Sequence, residues 1–256
     1  MIAPRLLRDP FTRFFAYTGG VTMLLVDSLR YAFTMQVRPS EVLRQAYFLG
    51  VESWPIIVLT SLFTGFVISL EAATAAVQNG LTQFVGGSVA YGTFRELGPM
   101  LTGIVFAGRA GAAVTASLGS MVVTEQIEAF QSMGVSPTKV LVTPRLIACV
   151  VMMPLLTVFG DIVGILGGYV MAHAEAHITQ YTYFHSVQQM TDYTDFLKGL
   201  LKAAVFGIIV AIVACYEGLR AEGGADGVGR VTTLAVVQSI ILIFAFNFTL
   251  SYLLFR

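Results

Sequence analysis

Arg95 and Glu96 stand side by side at the edge of a long apolar run, and Arg109 lies inside it. Ionised side chains are costly in hydrocarbon, so they persist where they face a partner, a wet cavity or a charged ligand. The adjacent pair is read either as an intramembrane ion pair or as a polar contact to a ligand headgroup. Asp161 and Glu71, each within an apolar stretch, are candidates for the same kind of cavity-facing group. Lys198 and Lys202, at the start of another stretch, are candidate basic partners of an anionic headgroup in the outer leaflet. Alternatively, they are lysines that snorkel to the interface.

Two further patterns carry less chemistry. His173 and His177 are four apart, which on a helix places them on one face, with His185 near. Glu175 comes two places after the first histidine, so the pattern is not H-E-x-x-H. A metal site would lack an obvious third ligand, and interfacial histidines just outside the membrane are expected, with no metal. The run Gly223–Arg230 approaches a phosphate loop in the spacing of Gly224 and Gly229. Arg230 and Val231 stand where Lys and Ser or Thr are needed, however, and no strand leads in. No nucleotide site and no cofactor are expected in this chain.

The elements that position these residues are membrane helices. Of 256 residues, 56% are hydrophobic and 12% charged, against about 25% charged in soluble domains. Mean hydropathy is +0.77. A net charge of zero argues against nucleic acid as a partner. Cys149 and Cys215 fall in apolar segments and read as small buried hydrophobes. Neither a cleavable signal nor a transit peptide is read at the N-terminus.

Five runs qualify as spans: Trp54–Ala76, Leu97–Val123, Leu146–Ala172, Leu197–Tyr216 and Val231–Phe255. Phe14–Met35, interrupted by Gly19-Gly20, is read as an amphipathic helix in the interface, with a sixth span as the alternative. Small residues recur every fourth position in Leu97–Val123: Gly103, Ala107, Gly111, Thr115 and Gly119, with Gly108, Ala112, Ala116 and Ser120 as a parallel row. Gly160, Gly164 and Gly168 form such a row in the third span, and Gly199, Ala203, Gly207, Ala211 and Cys215 in the fourth. Rows of this kind let helices approach closely in lipid.

Arg5, Arg8, Arg13, Arg30, Arg38 and Arg44 precede the first span, and Lys139, Arg145, Arg220 and Arg230 flank alternate loops. The loops Val77–Phe94 and His173–Phe196 carry no Lys or Arg. The positive-inside rule then places the N-terminus in the cytoplasm and, with five spans, the C-terminus outside.

Between the second and third spans, Thr124 reads as an N-cap, Glu125 suits the positive helix end, Gly134 a C-cap and Pro137 a stop. Ile127, Phe130 and Met133, three apart, make one short apolar face. Such a helix is shaped as a plug for a cleft in a partner, or it is an interfacial turn packing on its own protein. The expected fold is an all-α polytopic membrane protein. It has five transmembrane helices, an N-terminal interfacial helix and this short cytoplasmic helix. One domain is expected over 1–256, with an interfacial region at 1–48 and a transmembrane core at 49–256.

The runs Arg95-Glu96-Leu97-Gly98-Pro99, Phe106-Ala107-Gly108-Arg109-Ala110-Gly111, Thr124-Glu125-Gln126-Ile127 and Gly223-Gly224-Ala225-Asp226-Gly227-Val228-Gly229 occur in this order. Together they resemble the MlaE-type permeases of ABC lipid transporters, over nearly the whole chain after Leu49. The resemblance implies a homodimeric permease in the inner membrane that moves phospholipids or related lipids between that membrane and the outer envelope. It implies a periplasmic MCE-domain protein above, two cytoplasmic ATPase subunits that consume the ATP, and in some members a small STAS-domain subunit. It places Glu96 near the lipid pocket, with Arg95 beside it, and less directly Lys202; Glu71 joins these lipid-binding candidates from its place in the first span alone. It makes Glu125, Gln126, Ile127, Glu128, Phe130 and Met133 the coupling segment that the ATPase binds. A passive membrane scaffold and an intramembrane enzyme are the competing readings, and the permease itself is expected not to be an enzyme.

Overall fold

The computed structural model describes residues 10–34 and 37–255. Arg5 and Arg8, counted above as basic residues, and Met35, the end of the expected interfacial helix, lie outside them. Among the described residues, five helical segments are long and apolar enough to cross a bilayer: Pro39–Asn79, Thr82–Val123, Thr138–Ala176, Tyr193–Gly218 and Gly224–Leu254. The first joins α2 (Pro39–Leu49) to α3 (Trp54–Asn79) through a 3-10 turn. The second is α4 (Val85–Gly92), α5 (Gly98–Phe106) and α6 (Ala112–Val123), joined by π-turns at Thr93–Leu97 and Ala107–Gly111. After α7 (Gln126–Ser132), a π-turn at Thr138–Val142 leads into α8 (Thr143–Ala176). Then come α9 (Gln180–Met190), α10 (Tyr193–Gly218) and α11 (Gly224–Leu254). The N-terminal helix, α1 (Pro10–Phe33), is not among the five.

The segment Val77–Phe94, expected as a loop between the first two spans, is largely helical. The helix resumes at Val85, so Arg95 and Glu96 lie inside a continuous helix and not at its start. Within it, Gly86 and Gly87 are sites of close packing. A Cβ on Gly86 would overlap the Tyr183 carbonyl oxygen, and one on Gly87 would overlap Met190 Sδ, so both glycines admit α9 against α4. His177 departs from expectation too. It caps α8 in the left-handed region at φ 52°, so His173 and His177 do not share a helical face, and His173 Nδ1 turns to the Ile178 carbonyl at 3.0 Å.

The small-residue rows do what their spacing predicts. The row on α10, from Gly199 to Cys215, is buried throughout, and α10 is the most enclosed span. Gly160, Gly164 and Gly168 on α8 receive α3. There a Cβ on Gly65 would overlap the Gly164 carbonyl oxygen, and Ser69 Oγ donates to the Gly168 carbonyl. In the second span all five members from Gly103 to Gly119 are buried, whereas Gly108 and Ser120 of the parallel row are exposed. A strict fourth-residue row drifts about 40° per step on a 3.6-residue helix, or about 160° over four steps. The turn at Ala107–Gly111 holds an extra residue and takes back part of that drift, which keeps the row on one face.

Gly19-Gly20 does not break α1. Gly20 is the notch into which the Tyr216 ring of α10 fits, and Tyr17 meets that ring edge-on at 5.1 Å. Tyr17 Oη donates to Gln238 Oε1 of α11, and burial holds the phenol above its usual range, so it stays a donor. The amphipathic helix is therefore fastened to two spans.

Candidate functional site

Pro99 begins the site. In a regular helix its N–H would go to the Arg95 carbonyl, but proline has none to give. The wide turn before it sends the Gly98 N–H back to the Thr93 carbonyl. The Arg95 carbonyl is thus open toward α10, where Lys202 Nζ donates to it at 2.7 Å. One turn away on α10, Gly199 lies against the Phe94 carbonyl, which any Cβ there would overlap. Turn, proline and glycine together bring a lysine to the backbone of the second span.

Lys202 is fully buried and uses all three of its protons. Besides the Arg95 carbonyl they go to Glu96 Oε2 at 2.9 Å and Ser251 Oγ at 2.8 Å. Glu96 Oε2 also accepts from Asn247 Nδ2 at 2.9 Å. Ser251 Oγ lies 2.7 Å from Glu96 Oε1 and from the Asn247 carbonyl, so its one proton serves either. The Glu96 side chain is 39% exposed while Lys202 is closed off, so the cluster opens through its carboxylate.

Arg95 does not pair with Glu96. Adjacent residues on a helix point about 100° apart, and Arg95 turns to Asp195 Oδ1, 3.5 Å from its Nε. Its guanidinium lies between two rings, 4.5 Å from Tyr91 and 3.9 Å from Phe255. The Phe255 ring also faces Lys198 and Lys202, at 5.4 and 5.3 Å. Lys202 therefore does not snorkel. Asp195 is held as the third residue of the α10 capping box with Asp192.

The remaining candidates lie apart from this cluster. Glu71 is exposed on α3 and makes none of the cluster's contacts. Arg109 has Glu52, Ser53 Oγ at 3.1 Å and the Phe48 carbonyl at 2.6 Å as partners, which ties the second span to the α2–α3 elbow. Asp161 is buried against Gly98.

On the short helix α7, Thr124 is not the cap. Its hydroxyl donates back to the Ser120 carbonyl, and Glu125 is the capping residue in the left-handed region at φ 59°. The other end closes as foreseen. Gly134, at φ 74°, donates to Gln131 and Val135 donates to Phe130, the paired bonds of a Schellman motif. Ile127 is turned inward and Phe130 is half-buried, so the apolar face packs largely on its own protein. Met133 is 67% exposed, and Glu125, Gln126 and Glu128 are exposed beside it.

Asn247, Ser251, Asp195, Phe255 and Glu52 were not singled out from sequence. Asn247 and Ser251 left a signal, being polar residues four apart in an apolar span.

The chain is similar to known permeases along this whole region. The family model for the permease MlaE matches residues 42–253. A probable ABC transporter permease of Rickettsia typhi is 39% identical over 85% of this chain and 84% of its own. The intermembrane phospholipid transport system permease protein MlaE of Haemophilus influenzae is 32% identical over 84% and 82%. The chloroplast protein trigalactosyldiacylglycerol 1 of Arabidopsis thaliana is 35% identical over 81% of this chain and 59% of its own. With a family match over most of its length and relatives this close, the chain belongs to the MlaE permease family.

Proposed function

We propose that this chain is the membrane-embedded permease subunit of an ABC transporter that moves phospholipids between the inner membrane and the outer envelope. It works as a homodimer, with ATP hydrolysed by separate cytoplasmic subunits and a periplasmic MCE-domain protein, and in some systems a STAS-domain subunit, completing the assembly. The observation that carries the reading is the half-open carboxylate of Glu96 in a network that closes off Lys202. A lipid headgroup brings its own cation or hydroxyl to such an edge while its chains follow the apolar spans. The name of the Haemophilus relative supports a phospholipid as the cargo. The N-terminus is placed in the cytoplasm and the C-terminus outside by the distribution of Lys and Arg.

Glu96→Gln tests the site. Glutamine keeps the shape and an acceptor for Lys202 but leaves its ammonium without a counter-charge, so the readouts are taken per assembled complex. Lipid-stimulated ATP hydrolysis should fall about tenfold, the effect of replacing a charge-assisted contact by a neutral one. Photo-crosslinking to a phospholipid probe in nanodiscs should fall with it. Normal assembly with unchanged crosslinking and turnover removes Glu96 from the site.

The segment Glu125–Met133 is proposed as the dock for the ATPase. Met133→Asp is the sharper probe there, because its exposure lets the permease fold while a docked interface would bury an unpaired charge. The variant should insert normally and lose its copurifying ATPase. An undiminished ATPase assigns the dock elsewhere.

A further inference from the structure

A cavity of about 690 Å³ lies where the end of α1 and the start of α2 meet the approach to the third span. Tyr31, Arg38 and Glu41 line it from one side, and Ser136, Lys139 and Val140, just beyond α7, from the other. Its volume is that of a small-molecule site, about 300–1,000 Å³.

The charges on its walls are unbalanced. Glu41 is paired with Arg44 at 2.7 Å, which spends the carboxylate. Arg38 and Lys139 have no ion pair and no side-chain hydrogen bond among the described residues. Arg38 is exposed, whereas Lys139 is half-buried. Two cations on one cavity repel each other unless an anion joins them. Tyr31 and Ser136 add hydroxyls, so every polar side chain on the walls except Glu41 is a donor. That set suits the oxygens of a phosphate.

The neighbourhood indicates which phosphate. Phe15, Met23, Val26 and Phe33 are exposed on α1, as on a helix that lies in the membrane interface. The cavity opens at the end of that helix, at the depth of lipid headgroups. Val140, exposed on its wall, offers acyl chains an apolar surface. We propose that the cavity holds the phosphate of an anionic phospholipid from the adjacent leaflet, between Arg38 and Lys139. Basic pockets at the cytoplasmic ends of membrane helices take such headgroups, and this leaflet is the cytoplasmic one in the orientation proposed above. The lipid is a fixed partner and not the cargo, since its site shares no residue with the Glu96 cluster. It joins α1 and α2 to Gly134–Lys139 and so steadies the end of the segment proposed to dock the ATPase. That consequence rests on the dock, whereas the lipid site does not.

The test uses the full-length permease, with and without its ATPase, in nanodiscs of phosphatidylcholine. The probe is phosphatidylglycerol with a photoreactive group on its headgroup, and labelled residues are mapped by mass spectrometry. Label is expected on the cavity walls, displaced by excess phosphatidylglycerol and not by excess phosphatidylcholine. Arg38→Gln combined with Lys139→Gln should lower it about thirtyfold, two cations being lost from one phosphate. Arg230→Gln, exposed near the start of α11, should leave it unchanged. Displacement by inorganic phosphate as readily as by phosphatidylglycerol makes this a site for free anions and overturns the proposal. So does loss of the label when the ATPase binds, which would give the cavity to acidic groups of that partner. Equal displacement by phosphatidylcholine sinks it on the wild-type chain alone, whether or not the double variant inserts. An ATPase retained by Met133→Asp would remove the dock and leave the labelling result standing.

Discussion

Lys202→Met is expected to destabilise the permease by about 2–3 kcal/mol, and adding Glu96→Gln to restore much of that loss. The ammonium satisfies a backbone carbonyl, a carboxylate and a hydroxyl at once. Methionine fills the volume but leaves Glu96 a carboxylate supported only by Asn247 and Ser251. Removing one member of a fully buried pair costs about 3–5 kcal/mol; the 39% exposure of the Glu96 side chain puts this case below that range. Glutamine in the double variant removes the unmatched charge. Thermal inactivation followed by size-exclusion chromatography in detergent gives the three stabilities. A double variant no more stable than the single one would mean that Glu96 and Lys202 are not coupled.

The second large effect belongs to the seam between α3 and α8. Gly65→Ala puts a methyl group into the Gly164 carbonyl oxygen, a backbone atom that no rotamer change can move. The helices must separate, which strains packing by about 1–3 kcal/mol. The buried Ser69 bond to Gly168 is loosened as well, for about 1 kcal/mol more. Gly108→Ala is the control, since nothing lies within 4 Å of its added Cβ. That change should be neutral or should stabilise by up to about 1 kcal/mol, because alanine favours the helix. Equal melting temperatures for the two variants would refute the seam as drawn.

The number of spans and the buried rows were legible because apolar length and four-residue spacing are local quantities. The π-turns were not. Nothing in Thr93–Leu97 marks a wide turn except Pro99 just beyond it, and without that turn the open Arg95 carbonyl could not be foreseen. Nor does the sequence show that Gly86 and Gly87 make room for Tyr183 and Met190, since the partner helix follows about 100 residues later. Glu96 and Lys202 could each be picked out as charges needing a partner. Their pairing could not, because it depends on the azimuth of two helices 106 residues apart. Arg95 and Glu96 invited pairing as neighbours, and helical geometry sends them to opposite partners.

That separation along the chain also sets an order in time. Ribosomes add about 5–20 residues per second, so at 106 residues' distance Lys202 is made about 5–20 s after Glu96. Ser251, 155 residues after Glu96, follows later still. Through that interval the second span has left the ribosome with an acidic group whose counterion has not been synthesised. A carboxylate without its counterion makes settling in the lipid less favourable by a few kcal/mol, a cost that the second span carries until the fourth arrives. The contact that closes the site is thus one of the last that the growing chain can make, since Ser251 lies near the end of the fifth span.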